Sequence, residues 1–254
     1  MDKFGYIRGR RGPPGPSGKD AIQLHEWCPK GVLEMFRRDQ ECTFYFNTET
    51  DGILYKDDKP IGLKDRFGEN NAICLKNFHA PVKIRRFHAL PLQDTLYKIS
   101  RIRTATAPPS ICVIALQFKI TAEKDGYIIA NEANNRGVVI SKKSLNILGT
   151  DPLGLEYRDR RWNKLIIQYS SMPEGDSKCF FVLNGRRGFF IAHPNPADTT
   201  EFYIGGHPKG KDFASLMLTN LDIYYKHYRP PPDSYFLPEE MIKVMEFDMT
   251  DREY

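Results

Sequence analysis

The sequence predicts an all-β protein, a sandwich of two antiparallel sheets. Two observations predict it. From about Cys42 to Tyr228, short runs rich in Val, Ile, Phe and Tyr alternate with turn clusters, and little of the stretch has helical periodicity. Within it, Asn184-Gly185 joins the apolar runs CFFVL and FFI, the strongest hairpin signal in the chain. A hydrophobic content of 41% over 254 residues is enough to bury a core. The longest apolar run, Ile111 to Phe118 with Gln117 inside it, is far shorter than the roughly 20 residues of a membrane-spanning helix. The opening residues, running into Arg8, Arg10 and Arg11, lack the apolar stretch of a secretory signal.

Taken in order, the first element is residues 1–21. Gly9, Gly12, Gly15 and Gly18 recur every third residue, with Pro at both intervening positions. Only glycine fits the axis of a collagen triple helix, so this segment reads as a collagen-like stub. Four triplets cannot hold a triple helix alone, and a homotrimeric head is the expected support. Residues 22–41 read as a neck in which GVLEMFRRDQ forms a short helix. The sandwich follows over 42–228. Its expected strands are Thr43–Phe46, Leu96–Ile102, Ile111–Ile120, Tyr127–Asn131, Gly137–Ser141, Lys164–Ser170, Lys178–Leu183, Glu201–Ile204 and Ser215–Lys226. Over 229–254, Pro230-Pro231-Pro232 breaks the last strand. Leu237-Pro238-Glu239-Glu240 then starts a short helix with Leu237, Met241, Ile242 and Met245 on one face.

The net charge of +5 is mildly basic and comes in scattered pairs, not on one helix or face, which argues against a dedicated nucleic-acid binder. The pairs that a sandwich would bring near one another are Lys142-Lys143, Arg158 with Arg160-Arg161, and Arg186-Arg187. Arginine forks suit sulfate and carboxylate, so these residues are the candidate ligand-binding set, against the plainer reading of a solvated surface. Among the cysteines, Cys112 and Cys179 lie in apolar runs and are expected as free buried thiols. Cys28, Cys42 and Cys74 sit in polar sequence where one disulfide could form. No catalytic residue is assigned: no strand carries the paired carboxylates of a glycosidase, and the six histidines form no i,i+4 pair.

The segments SICVIALQFKITAEKDGYIIAN, GVVISKKSLNI, RWNKLIIQYS, CFFVLNGRRGFF and EFYIGGHPKGKDFASLMLTNLDIYY resemble, in this order, the laminin-G-like domains of the concanavalin A-like jelly rolls. The resemblance covers about Leu92–Tyr228. It implies two antiparallel sheets face to face, with Trp162 in the sandwich core. It also implies a calcium rim, for which Asn135 and Asp198 hold the corresponding neighbourhoods; calcium is the one cofactor considered. The disulfide usual in the family's closing segment is missing, since Phe213–Tyr225 has no cysteine. The expected function is non-catalytic adhesion or recognition at a cell or virion surface, by a trimeric head binding a glycan or a protein receptor without nucleic acid or membrane insertion. The alternative is a structural head that chiefly drives trimer assembly.

Overall fold

A computed structural model of the chain describes residues 42–48, 52–66, 70–85, 87–100, 110–152, 154–171, 177–192 and 201–227. The collagen-like glycines Gly9, Gly12, Gly15 and Gly18, the neck helix and the C-terminal helix lie outside these residues, and the described residues contain no helix. Sixteen strands are present: β1 (Cys42–Asn47), β2 (Ile53–Lys56), β3 (Lys59–Leu63), β4 (Ala72–Lys76), β5 (Val82–Ile84), β6 (Phe87–Gln93), β7 (Leu96–Ile99), β8 (Ser110–Ile120), β9 (Gly126–Asn131), β10 (Gly137–Ser141), β11 (Ser144–Ile147), β12 (Trp162–Ser171), β13 (Ser177–Leu183), β14 (Arg186–Ala192), β15 (Phe202–Ile204) and β16 (Ser215–His227). They form two eight-stranded antiparallel sheets. One runs β14-β13-β12-β8-β16-β6-β5, with β1 on β16 beyond the end of β6; the other runs β11-β10-β9-β15-β7-β4-β3-β2.

Strand periodicity explains the layering. Alternate residues of β8 (Cys112, Ile114, Leu116, Phe118, Ile120) and of β12 (Leu165, Ile167, Tyr169) enter the core. They meet Tyr97, Ile99, Ile129, Val138, Ile140, Phe202 and Ile204 of the second sheet. Each such aliphatic or aromatic burial contributes about 1.5–3 kcal/mol. The intervening residues of β8 and β12, namely Val113, Ala115, Gln117, Ile166 and Gln168, are buried too. Burial on both faces is why Ile111–Ile120 reads as a nearly continuous apolar run rather than an alternating one. Each amide on that outer face uses one of its two ends: Gln168 Nε2 donates to Ser170 Oγ at 2.9 Å, and Thr219 Oγ1 donates to Gln117 Oε1 at 3.0 Å.

One tyrosine ties the sheets together. The Tyr169 hydroxyl crosses the core, accepts the Gly137 N–H at 2.9 Å, and shares its proton between the Gly137 and Leu148 carbonyls at 3.1 and 3.0 Å. Burial, the largest cause, holds its phenol pKa well above the ordinary value.

One expectation is corrected and one narrowed. Trp162 is buried, but not in the sandwich core. It opens β12 on the outer face of its sheet and packs with Phe87 and Ala89, its ring edge-on to Phe87 at 5.4 Å. The parity of β12 decides this, because Leu165, Ile167 and Tyr169 take the inward positions. Cys74 is a free thiol that approaches the Lys76 carbonyl at 3.4 Å, so it contributes no disulfide. Cys112 and Cys179 are free and buried, as expected. Both are paired with Tyr169 from opposite sides, which sets them two strand spacings apart, about 9–10 Å and beyond disulfide reach.

Candidate functional site

Strand register gathers five loops at one end of the sandwich. Trp162 pairs with Lys119, Leu165 with Leu183, Leu216 with Ile120, and Gly126 with Ile140. The ends of these strands therefore release residues 121–125, 142–143, 157–161, 184–185 and 205–214 side by side. The last of these is joined to the start of β9 by the Tyr127 N–H donating to the Asp212 carbonyl at 2.9 Å.

Two buried-end asparagines fix the arginine segments. Asn163, fully buried, uses its whole side-chain amide. Its Oδ1 accepts the Arg158 N–H at 2.8 Å and the Asn184 Nδ2 at 2.9 Å, and its Nδ2 donates to the carbonyls of Arg158 at 3.0 Å and Arg161 at 2.9 Å. Asn184 Oδ1 in turn accepts the Lys164 N–H at 2.9 Å. The loop carrying Arg158, Arg160 and Arg161 is thus clipped to the β13–β14 turn, from which Arg186 and Arg187 emerge; all five arginines are exposed. The Lys142-Lys143 turn joins the same group, since Lys143 feels Asp159, and Arg160 acts on its partner Glu123.

The charge there is concentrated. Residues 121–125, 142–143, 157–161, 184–187 and 207–212 hold ten Lys or Arg against four Asp or Glu, an excess larger than the +5 of the whole chain. Lys143 Nζ pairs with Glu123 Oε2 at 2.7 Å, which holds the glutamate below and the lysine above their ordinary pKa ranges. Asp125 accepts the Lys142 N–H on Oδ1 at 2.9 Å and the Ser141 hydroxyl on Oδ2 at 3.5 Å. A cavity of about 220 Å³ opens between these loops, lined by Glu123, Lys124, Asp125, Ile140, Lys142, Lys143 and Tyr157. Burial, then the nearby Asp159 and Glu123, raises the Tyr157 pKa, so its phenol is a neutral donor. On the adjoining loop, His207 packs edge-on against Tyr127 at 4.8 Å, and its Nδ1 accepts the Lys209 N–H at 3.0 Å.

Asn135 lies at the opposite end, between β9 and β10. Its Oδ1 accepts from Asn131 Nδ2 at 2.6 Å, and Asn131 Oδ1 accepts the N–H groups of Asn135 and Arg136, each at 2.9 Å. The guanidinium of buried Arg136 lies 5.5 Å from the centre of the Tyr169 ring. The Asn135 oxygen is therefore employed in closing its own turn. Asp198 lies outside the described residues. Among the described residues no three His, Cys, Asp or Glu side chains gather to hold a metal ion.

Sequence reasoning named the basic segments but missed Asn163, Glu123, Asp125 and Tyr157. The Arg-Trp-Asn run at the start of β12 held a signal for the first: an amide opening a strand after a charged loop is a natural loop clip. The other three are unremarkable in sequence and become neighbours only through the register of β9, β10 and β12.

No family model matches the chain, and no curated protein does. Solved structures do resemble it. Domain 4 of AbnA, an extracellular arabinanase from Geobacillus stearothermophilus solved in complex with arabinotriose, aligns with a TM-score of 0.53 at 11% identity, over 81% of this chain and 98% of that domain. A mutant Trypanosoma rangeli sialidase displaying trans-sialidase activity aligns with a TM-score of 0.51 at 13% identity, over 83% of this chain and 34% of that one. The binding domain of botulinum neurotoxin serotype D aligns over 73% of this chain with a TM-score of 0.48 and 12% identity. The chain spans 49% of that toxin domain and about a third of the sialidase. At such identities the likeness is one of fold, an all-β antiparallel sandwich.

Proposed function

We propose that the chain is a non-catalytic recognition module that binds a carbohydrate through the loops at the Lys142–Arg187 end of the sandwich. The observation that carries this reading is the gathering of ten Lys or Arg against four Asp or Glu on the loops at that end, with Asn163 holding the arginine loop in place. The sandwich shared with the arabinanase domain bound to arabinotriose supports it as a scaffold of a kind known to hold sugar chains. The non-catalytic part of the reading rests on the sequence, in which no strand carries the paired carboxylates of a glycosidase. The finer reading is a laminin-G-like jelly roll on a collagen-like stub, trimeric, at an extracellular or virion surface. Three weak sites on one stalk would then act through avidity.

A glycan and glycosaminoglycan array, probed with and without calcium, tests the proposal. Calcium-independent binding to sulfated sugars, weakened at low salt in Arg186→Ala/Arg187→Ala, is the expected result. Calcium-dependent binding would move the site to the Asn135 end. No binding to any sugar would overturn the carbohydrate reading in favour of a structural head.

A further inference from the structure

Resting on that reading, we propose that the cavity between the Lys142-Lys143 turn and Tyr157 takes one acidic sugar unit, whose carboxylate or sulfate pairs with Lys142 while its ring lies against Tyr157. At about 220 Å³ the space is smaller than ordinary ligand pockets, so it suits a single ring and not a chain. Its lining is divided as a sugar requires. The half-buried Tyr157 supplies an apolar face, while the Ile140 side chain belongs to the core. Asp125, oriented by the Lys142 N–H and the Ser141 hydroxyl, offers remaining lone pairs to sugar hydroxyls. Glu123 and Lys143 neutralise one another at 2.7 Å. Lys124 and Lys142 also line the space, and among the described residues neither ammonium has an ion-pair partner. With the Asp125 carboxylate counted against Lys124 and Lys142, the lining keeps a net single positive charge for an anion.

The backbone gives an independent reason. Ser141 pairs with Ser144, so Lys142 and Lys143 are the two residues of a tight hairpin loop, with φ of +50° and +63°. The same two-residue loop occurs at Asp57-Asp58 and at Asn184-Gly185, residue types that accept the left-handed region readily. Lysines do not; Lys143 brings the fold its exposed pair with Glu123, whereas Lys142 brings no such pair. Strain kept at Lys142, on the rim of a cavity, points to a residue held for its side chain.

The test uses the full chain, its Lys142→Asn/Lys143→Gly variant, and three trisaccharides of one backbone: sulfated, carboxylated and uncharged. Relief of the two left-handed lysines, offset by loss of the exposed Lys143–Glu123 pair, should leave Tm no more than about 2 °C below the parent, and Tm measured on the variant separates loss of binding from loss of folding. Affinity for one or both acidic sugars should fall at least tenfold and that for the neutral sugar less than twofold; the arm that falls identifies the acid. Unchanged affinity for both acidic sugars, or an equal fall on the neutral one, overturns the proposal while leaving the carbohydrate reading intact. If the parent protein binds none of the three, the carbohydrate reading fails first and the pocket with it.

Discussion

Asn163→Ala should loosen the arginine loop without removing any of its charges. The substitution deletes four hydrogen bonds of 2.8–3.0 Å from a side chain with no solvent exposure. A typical bond contributes about 1 kcal/mol net, and a buried group left unpaired costs more. Arg158 and Arg161 are themselves exposed, so water can reach their freed carbonyls and limit the loss. The sum is about 3 kcal/mol, or a fall of roughly 6–12 °C in Tm for a domain of this size. Asn163→Asp sharpens the test. It keeps both acceptor bonds on Oδ1 but aims a carboxylate oxygen at two carbonyls, so it should fare no better than alanine despite its matching shape. Urea unfolding gives the stability change, and hydrogen exchange of the Arg158 amide reports the loop locally. Sulfated-glycan affinity should drop in both variants. A stability change below about 0.5 kcal/mol, with the Arg158 amide as protected as before, would refute the clip and with it the account of how the arginines are positioned.

Two further outcomes follow from the same packing. Tyr169→Phe removes the bridge from β12 to Gly137 and Leu148 and should cost about 2–4 kcal/mol in chemical unfolding without altering glycan binding, because Tyr169 serves the opposite end. His207 should titrate below the ordinary 6.5 in proton NMR, through burial first, then Lys211 and Lys209, with Asp212 opposing. Its folded pKa is depressed, so its contribution to stability is complete above pH 6.5 and declines as the pH falls through the folded value.

The sandwich was legible where strands are long or apolar. β8, β10, β12, β13 and β16 lie within two residues of their expected bounds at either end. β2 to β6 were not legible, for local reasons. β2 and β3 are short and lysine-flanked, joined through Asp57-Asp58, which reads as loop until both residues are seen at positive φ. β6 carries Pro91, which argues against a strand; it is tolerated because the β5 pairing stops at Ala89, leaving an edge where a missing N–H has no partner. The misplacement of Trp162 has the same origin. Its burial was legible, but the face it takes depends on register, which a tryptophan at a strand's first residue does not reveal. The site divides likewise: charge pairs are visible in sequence, whereas the acids that partly neutralise them, Glu123 and Asp125, are known as neighbours only once β9 and β10 are paired.

That partial neutralisation predicts two components in the response of binding to salt. Arg158, Arg160, Arg161, Arg186 and Arg187 are exposed, and exposed ion pairs contribute about 0.2–1 kcal/mol each and are screened. As the Debye length falls from about 10 Å at 0.1 M salt to about 3 Å at 1 M, three or four such contacts should cost a sulfated glycan on the order of tenfold to a hundredfold in affinity. Lys142 is exposed as well, but a sugar seated in the cavity covers its ammonium from solvent and weakens the screening, so a residual affinity should survive high salt. Calorimetry across this range separates the parts. Arg186→Ala/Arg187→Ala should flatten the salt dependence and leave the high-salt affinity nearly unchanged, whereas Lys142→Asn/Lys143→Gly should lower the high-salt affinity most. Salt-independent binding in the parent protein would remove the ligand from the arginine loops altogether. A steep dependence that falls to no binding would leave the arginines as the whole site and the cavity without a role.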